Sequence, residues 1–270
     1  MAQAARLNST TDPIWSEIRE EVKLQVSSEP LLASFLHATV LKHNSLEEAL
    51  SLHLAHKLGS PTLSDVFLRE VIDEAMTADD ELSSAIRADL IAFRERDPAC
   101  DRFSLPLLYL KGYQGLQAHR VGHWLWNCGR KELALYLQGR VSEVFGMDIH
   151  PAARIGSGIL IDHATGIVIG ETAVVGDNVS MLHEVTLGGT GKAGGDRHPK
   201  VHCGVLIGAG AKILGNVQIG EGAKIAACSV VLEDVPPHRT AAGVPAELVG
   251  ETECDQPALE MDHSLRLEED

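Results

Sequence analysis

The chain has 270 residues, 44% hydrophobic and 23% charged, a composition that excludes a disordered chain or a collagen-like fibre and suits a soluble globular protein. The formal net charge of −15 excludes a general nucleic-acid binder, which needs a basic surface to displace phosphate counterions, and equally a protein that docks on an anionic membrane. Five cysteines, odd in number and with no C-x-x-C, indicate neither a disulfide framework nor a zinc ribbon; with no signal-like leader or membrane-length apolar run, a reducing cytoplasm is the expected location.

The composition changes near residue 145. All eleven aromatic residues lie at or before Phe145, whereas nineteen of the 25 glycines fall between residues 141 and 250. Three regions follow: a helical domain over 1–145, a repeat domain over 146–250 and an acidic, disordered tail over 251–270. The overall expectation is an α+β chain with a helical bundle followed by a left-handed parallel β-helix.

In the first region apolar residues recur at three- and four-residue spacing, which predicts six to eight helices in a compact bundle. Asp12 before Pro13 reads as a cap with proline at the first helical position. Ser45-Leu46-Glu47-Glu48 reads as a capping box, and Gly59, Ser60 and Pro61 end that helix. The stretch Leu105 to Trp126 is apolar enough to be one central helix. Histidines 37, 43, 53, 56, 119 and 123 sit at helical spacing beside aliphatics and read as packing or surface residues. The exception is the turn-like Arg96-Asp97-Pro98-Ala99-Cys100-Asp101, where paired carboxylates could hold an ammonium group.

From Ile149 the apolar period is six. Ile149, Ile155, Ile161 and Ile167 form one run; after a two-residue slip come Ile169, Val175, Met181 and Leu187, and a third run goes from Ile207 to Val231. This is the hexapeptide signature of a parallel β-helix. Three hexapeptides close an 18-residue coil, so Ile207 is expected beneath Ile225 and Ile213 beneath Val231. The narrow interior takes one aliphatic per face, which explains the missing aromatics. Exposed flat faces predict lateral association into trimers.

Interruptions of a strict repeat are where function is expected. One is Asp162-His163-Ala164-Thr165-Gly166, at the slip. The other is the polar, glycine-rich loop from Gly188 to Gly204. His163 is a natural general base at neutral pH, or else a corner histidine bonded to backbone. Asp148, one coil earlier, could orient it or cap a turn. The loop offers Arg197 for a carboxylate and His198 as a second imidazole. His163 and His183, twenty residues apart, could stack as part of a zinc site, but no third histidine falls beside them and no metal is expected.

The segments HPAARIGSGILIDHATGIVIGETAVVGDNVSMLHEVTLGGTGKAGGDRHPK, GVLIGAGAKILGNVQIGEGAKI and TAAGVPAELVG resemble the serine O-acetyltransferase family of bacterial cysteine biosynthesis. SEPLLASFLHATVLKHNSLEEAL, RDPACD and LLYLKGYQGLQAHRVGHWLWNCGR are similar to that family's helical domain, so the resemblance spans nearly the whole chain. It implies acetyl transfer from acetyl-CoA, the cosubstrate, to the L-serine hydroxyl within a ternary complex. His163 would be the general base and Asp148 its orienting partner. Asp97 and Asp162 would bind the serine ammonium, with Arg197 and His198 at the carboxylate and hydroxyl end. The CoA arm would pass Gly189, Ala209 and Lys224. The resemblance further implies sites between subunits of a homotrimer, helical domains joining two trimers into a hexamer, and feedback inhibition by L-cysteine at the serine site.

Two departures stand out. Ile225-Ala226-Ala227-Cys228-Ser229 replaces the commoner I-G-A-G-S, adding side chains where pantetheine should pass. The chain ends in Leu265-Arg266-Leu267-Glu268-Glu269-Asp270 where family members of this type often end in the isoleucine that inserts into cysteine synthase, which puts that complex in doubt. A sugar or homoserine acetyltransferase and a noncatalytic trimeric scaffold remain the competing readings. Residues 251–270 hold eight acidic groups and one basic group, so much of the bulk charge lies in the tail. Lys192, Lys200, Lys212, Lys224 and Arg239 are therefore available to meet CoA phosphates.

Overall fold

The computed structural model describes residues 12–191, 194–252 and 254–265. Lys192 and residues 266–270 lie outside the described residues.

Helix α1 (Pro13–Ser28) starts as its sequence dictates: the Asp12 carboxylate accepts from the Ile14 N–H at 3.1 Å and proline occupies the first turn. Helix α2 (Ala33–Leu36) runs into a short π-helical stretch, His37–Leu41. Helix α3 (Leu46–Leu58) carries the expected box: Ser45 Oγ accepts from the Glu48 N–H, and the Glu48 carboxylate reaches back to the Asn44 N–H. Helices α4 (Asp65–Ala78) and α5 (Asp80–Arg96) follow.

The predicted single helix over 105–126 is two helices, α6 (Ser104–Leu108) and α7 (Lys111–Asn127). The break at Tyr109 and Leu110 is stabilised by side chains that take the last carbonyls of α6. His53 bonds Leu108 O, and the Gln114 amide donates to Leu107 O. The break turns α7 onto the solenoid, where Gly112 lies so close to the Ile161 carbonyl that a Cβ would be 1.9 Å from its oxygen. Helix α8 (Lys131–Phe145) then ends at Gly146, whose φ of 71° permits the turn into the first strand.

The strands form three parallel faces, numbered here as sheets 1 to 3. Sheet 1 stacks β1 (Met147–Ile149), β4 (Ile167–Ile169), β7 (Thr186–Gly188), β10 (Lys212–Leu214) and β13 (Val230–Val231). Sheet 2 stacks β2 (Arg154–Ile155), β5 (Val174–Val175), β8 (Lys200–Val201) and β11 (Gln218–Ile219). Sheet 3 stacks β3 (Leu160–Ile161), β6 (Ser180–Met181), β9 (Leu206–Ile207) and β12 (Lys224–Ile225), then β14 (Arg239–Gly243) and its antiparallel neighbour β15 (Ala246–Glu251).

Register follows the sequence period, with Ile207 beside Ile225 and Ile213 beside Val231. The two-residue slip is absorbed at one corner, so that Ile149 still pairs with Ile169. The polar insertion is shorter than the expected Gly188–Gly204. Gly188 belongs to β7, and Lys200–Val201 returns to the ladder beside Val174–Val175 because Val201 is a core residue at a hexapeptide position. The insertion between the two strands is therefore residues 189–199.

The tail also departs from expectation. Within the acidic run, Pro257–Glu260 forms a short helix, α9, that packs on α5 and sheet 3 with Pro257 and Ala258 buried. The Ala258 N–H donates to Gly204 O (3.2 Å), and Ser180 Oγ donates to Ala258 O (2.8 Å). The net charge of the run conceals this apolar dipeptide, which has a place to dock.

Candidate active site

The residues singled out in the sequence stand on two edges of the triangular solenoid and on the faces beside them. On the edge from sheet 3 to sheet 1 is the slip. His163 and Ala164 both adopt positive φ (56° and 61°), which fits the two extra residues into the corner. Ala164 is buried, while His163 is displayed on the surface with its Nε2 3.6 Å from Asp162 Oδ2. In the next coil His183 occupies the same corner, its ring 5.7 Å from that of His163 and nearly perpendicular. Its Nδ1 is buried and has no hydrogen-bond partner among the described residues. Ala209 and Cys228 continue this edge upward, linked by the Cys228 N–H to Ala209 O bond.

On the edge from sheet 1 to sheet 2 lie His150, Glu171, Thr172 and the base of the 189–199 loop. Thr172 organises this edge. Its Oγ1 accepts from the Arg197 and His198 backbone N–H groups at 3.0 and 3.1 Å, and its own N–H donates to His198 Nδ1 at 3.2 Å. That last bond places the imidazole proton on Nε2. Burial, reinforced by the Arg197 and Lys200 charges, lowers the His198 pKa and favours the neutral ring. The Arg197 guanidinium donates to Glu171 Oε2 at 2.7 Å, which holds the Glu171 carboxyl below its usual range. Lys200 staples the loop, donating to Asp196 Oδ1, Thr172 O and His198 O. Gly189 lies beside this ring.

Asp148 stands exposed in mid-strand on sheet 1 and accepts from Gln138 Nε2 at 2.6 Å. Among the described residues it makes no bond to His163, so one chain does not by itself assemble that pair. Asp97 caps the end of α5 on the sheet 3 side, with Oδ1 accepting from the Ala99 N–H at 2.8 Å. Lys224 is buried on sheet 3, its Nζ donating to Ser264 O of the tail at 2.5 Å. His263 sits in the field of both Lys224 and Asp162. Among the described residues no group of three or more His, Cys, Asp or Glu side chains is placed to hold a metal ion.

His163 and Arg197 are thus separated by the width of sheet 1. No hydrogen bond or ion pair joins the two among the described residues, and the strands of sheet 1 lie between their edges. His183, Glu171 and Thr172 are the residues that sequence reasoning undervalued. For His183 the signal was its 20-residue offset from His163, the same offset that pairs Ile149 with Ile169.

Residues 14–118 match the family "Serine acetyltransferase, N-terminal" and residues 198–233 match "Bacterial transferase hexapeptide (six repeats)". The chain is 59% identical over 249 residues to the serine acetyltransferase of Escherichia coli K12, covering 92% of this chain and 91% of that one. It is similar in structure to the Brucella abortus serine acetyltransferase in complex with coenzyme A, with a TM-score of 0.88, 56% identity and coverage of 90% and 98%. It is also similar to a serine acetyltransferase in complex with cysteine, with a TM-score of 0.92, 53% identity and coverage of 94% and 98%.

Proposed function

Because the chain belongs to the serine acetyltransferase family, we propose that its two edge clusters, one from each of two neighbouring subunits, form the serine site. The reaction is acetyl transfer from acetyl-CoA to the serine hydroxyl, giving O-acetyl-L-serine and CoA. The observation that carries the intersubunit reading is the separation of His163 and Arg197 across sheet 1, which a trimeric packing closes by bringing one chain's edge to the next chain's.

In this site His163 takes the serine hydroxyl proton as the oxygen attacks the thioester carbonyl. The tetrahedral intermediate collapses, the C–S bond breaks, and the same imidazole returns the proton to the CoA sulfur. Asp148 orients the ring and stabilises its cationic form. Asp97 and Asp162 hold the ammonium; Arg197, held flat by Glu171, pairs with the carboxylate. His198, neutral and protonated on Nε2, donates a hydrogen bond at the carboxylate and hydroxyl end. The CoA arm runs past Gly189 and Ala209, and Lys224 meets it after the tail carbonyl of Ser264 moves aside. L-cysteine, which shares the ammonium and carboxylate of serine, competes for the same groups.

Exposed apolar residues on the helical domain, Leu24, Leu31, Val66 and Phe67 among them, support an interface joining two trimers into a hexamer. The five cysteines are all unpaired, which suits a reducing cytoplasm.

The test is subunit complementation. His163→Ala and Arg197→Ala chains are each expected to be nearly inactive. Mixed at equal ratio, they place an intact His163 edge against an intact Arg197 edge at one interface in four, restoring up to about a quarter of normal activity. CoA release that stays at the sum of the two single variants would refute the intersubunit site.

A further inference from the structure

We propose that Arg96 is the positioning residue for Asp97, fixing that carboxylate relative to Asp162 by bolting the end of α5 to the strand pair β3 and β6. The inference rests on the reading of Asp97 and Asp162 as the ammonium site.

Helix α5 is pinned to the solenoid at two heights. The lower pin is Asp89, fully buried, whose Oδ1 accepts from the Ile159 N–H at 2.9 Å while Oδ2 accepts from Gln117 and Arg120. Arg96 lies seven residues on, two turns along the same face. The residue is 6% exposed, and its guanidinium donates to Ser180 Oγ at 3.1 Å and Asn178 Oδ1 at 3.2 Å. The Ser180 hydroxyl in turn donates to Ala258 O of α9, so three segments meet at this fork.

Among the described residues no carboxylate lies within ion-pair distance of Arg96, its Nε has no partner, and burial lowers its pKa. A buried guanidinium with no bonded carboxylate, only the more distant fields of Glu95 and Asp89, is a costly way to fill space that an apolar side chain would fill. What the planar fork supplies is direction: two bonds to fixed oxygens set both the distance and the angle of the α5 terminus.

The next residue is Asp97. Its N–H bonds Phe93 O, its carbonyl accepts from the Cys100 N–H, and its Oδ1 accepts from the Ala99 N–H. Asp97 Oδ2 therefore projects from a turn hung directly on Arg96. The register partner of Ser180 is Leu160, two residues before Asp162. Arg96 is thus anchored on β6, whose ladder partner β3 (Leu160–Ile161) is followed directly by Asp162, and through that pairing the fork sets the spacing between the two carboxylates.

The experiment compares Arg96→Met, Ser180→Ala and Asp97→Asn in the full chain. It measures calorimetric binding of L-serine and of 3-hydroxypropionate, which is serine without its ammonium, together with kcat and the KM for acetyl-CoA. A displacement on the order of 1 Å costs about 10²-fold at a positioned group, so Arg96→Met should weaken serine binding about 10- to 100-fold. Binding of 3-hydroxypropionate and the acetyl-CoA KM should move by no more than about twofold, so that the preference for serine collapses. Ser180→Ala removes one arm of the anchor and should shift the same preference by about threefold. If Asp97→Asn loses the preference while Arg96→Met and Ser180→Ala keep it, Arg96 does not position Asp97. Equal loss for both ligands means a general structural role and overturns the inference too. If Asp97→Asn itself keeps the preference, the ammonium reading fails. Should Arg96→Met fail to fold, Ser180→Ala decides the question.

Discussion

Replacing Gly170 by alanine tests whether the His198 ring must sit where the solenoid holds it. A Cβ at residue 170 would lie 2.0 Å from His198 Nε2 and 2.1 Å from its Cδ2. Ordinary contact is about 3.5–4.0 Å, so the imidazole must retreat by about 1.5 Å. It cannot do so and keep Thr172, whose N–H and Oγ1 lie 3.2 and 2.9 Å from Nδ1. Loss of those bonds costs about 1 kcal/mol each, and crowding adds about 1–3 kcal/mol, which lowers the melting temperature without abolishing the fold. The larger effect is catalytic. Displacement beyond 1 Å at a group meeting the substrate costs about 10²-fold in kcat/KM for serine. CoA thiol release measured against serine and against acetyl-CoA, with a thermal melt in parallel, reads both consequences. The expected result is a folded variant whose serine kcat/KM falls about 100-fold while the acetyl-CoA KM changes far less. A folded variant with normal serine kcat/KM would refute the placement of His198 in the serine site.

Two further predictions concern stability. Burial lowers the His119 pKa from 6.5 to about 3, so its ring is neutral in the folded chain and takes up a proton on unfolding over the pH window between those values. The associated stability is complete above pH 6.5 and is lost as pH falls below it, by about 2 kcal/mol between pH 7 and pH 5. His119→Gln should remove about one proton from the pH dependence of denaturant unfolding over that range, and an unchanged slope would count against the buried neutral ring. Asp89→Ala leaves the Arg120 guanidinium buried without its carboxylate, and should cost about 3–5 kcal/mol in the same measurement. A loss below 1 kcal/mol would show that the lower pin of α5 is dispensable.

The solenoid was legible because its geometry writes itself into the sequence every six residues. Ile207, Ile213, Ile219 and Ile225 announce their own stacking partners, and the slip at Asp162 to Gly166 announces its corner. The break at Tyr109 and Leu110 was not legible, since it is held by His53 and Gln114 from other parts of the fold. Nor was the docking of α9, whose determinant is a pocket beside Ser180 and Gly204 rather than anything in the tail's own pattern. The chemistry-bearing residues could be named one at a time from their motifs. Their distribution over two edges could not, because period six says which residues share a corner only after the lengths of the interruptions are known. Thr172 is the clearest loss: a threonine among threonines in the sequence, and the hub of an edge in space.

The loop of residues 189–199 leaves and rejoins the solenoid without disturbing its register, since Leu187 stacks on Ile213 although 26 residues separate them. The coil therefore supports the loop as a rail supports a detachable fitting: strand pairing above and below is satisfied whatever the fitting contains. The loop that carries Arg197 and His198, the groups proposed to recognise the acceptor, can vary in length and composition while the aliphatic stack beneath stays constant. One prism of short strands can in this way carry different acceptor chemistries, with the scaffold and its substrate preference free to change on separate schedules.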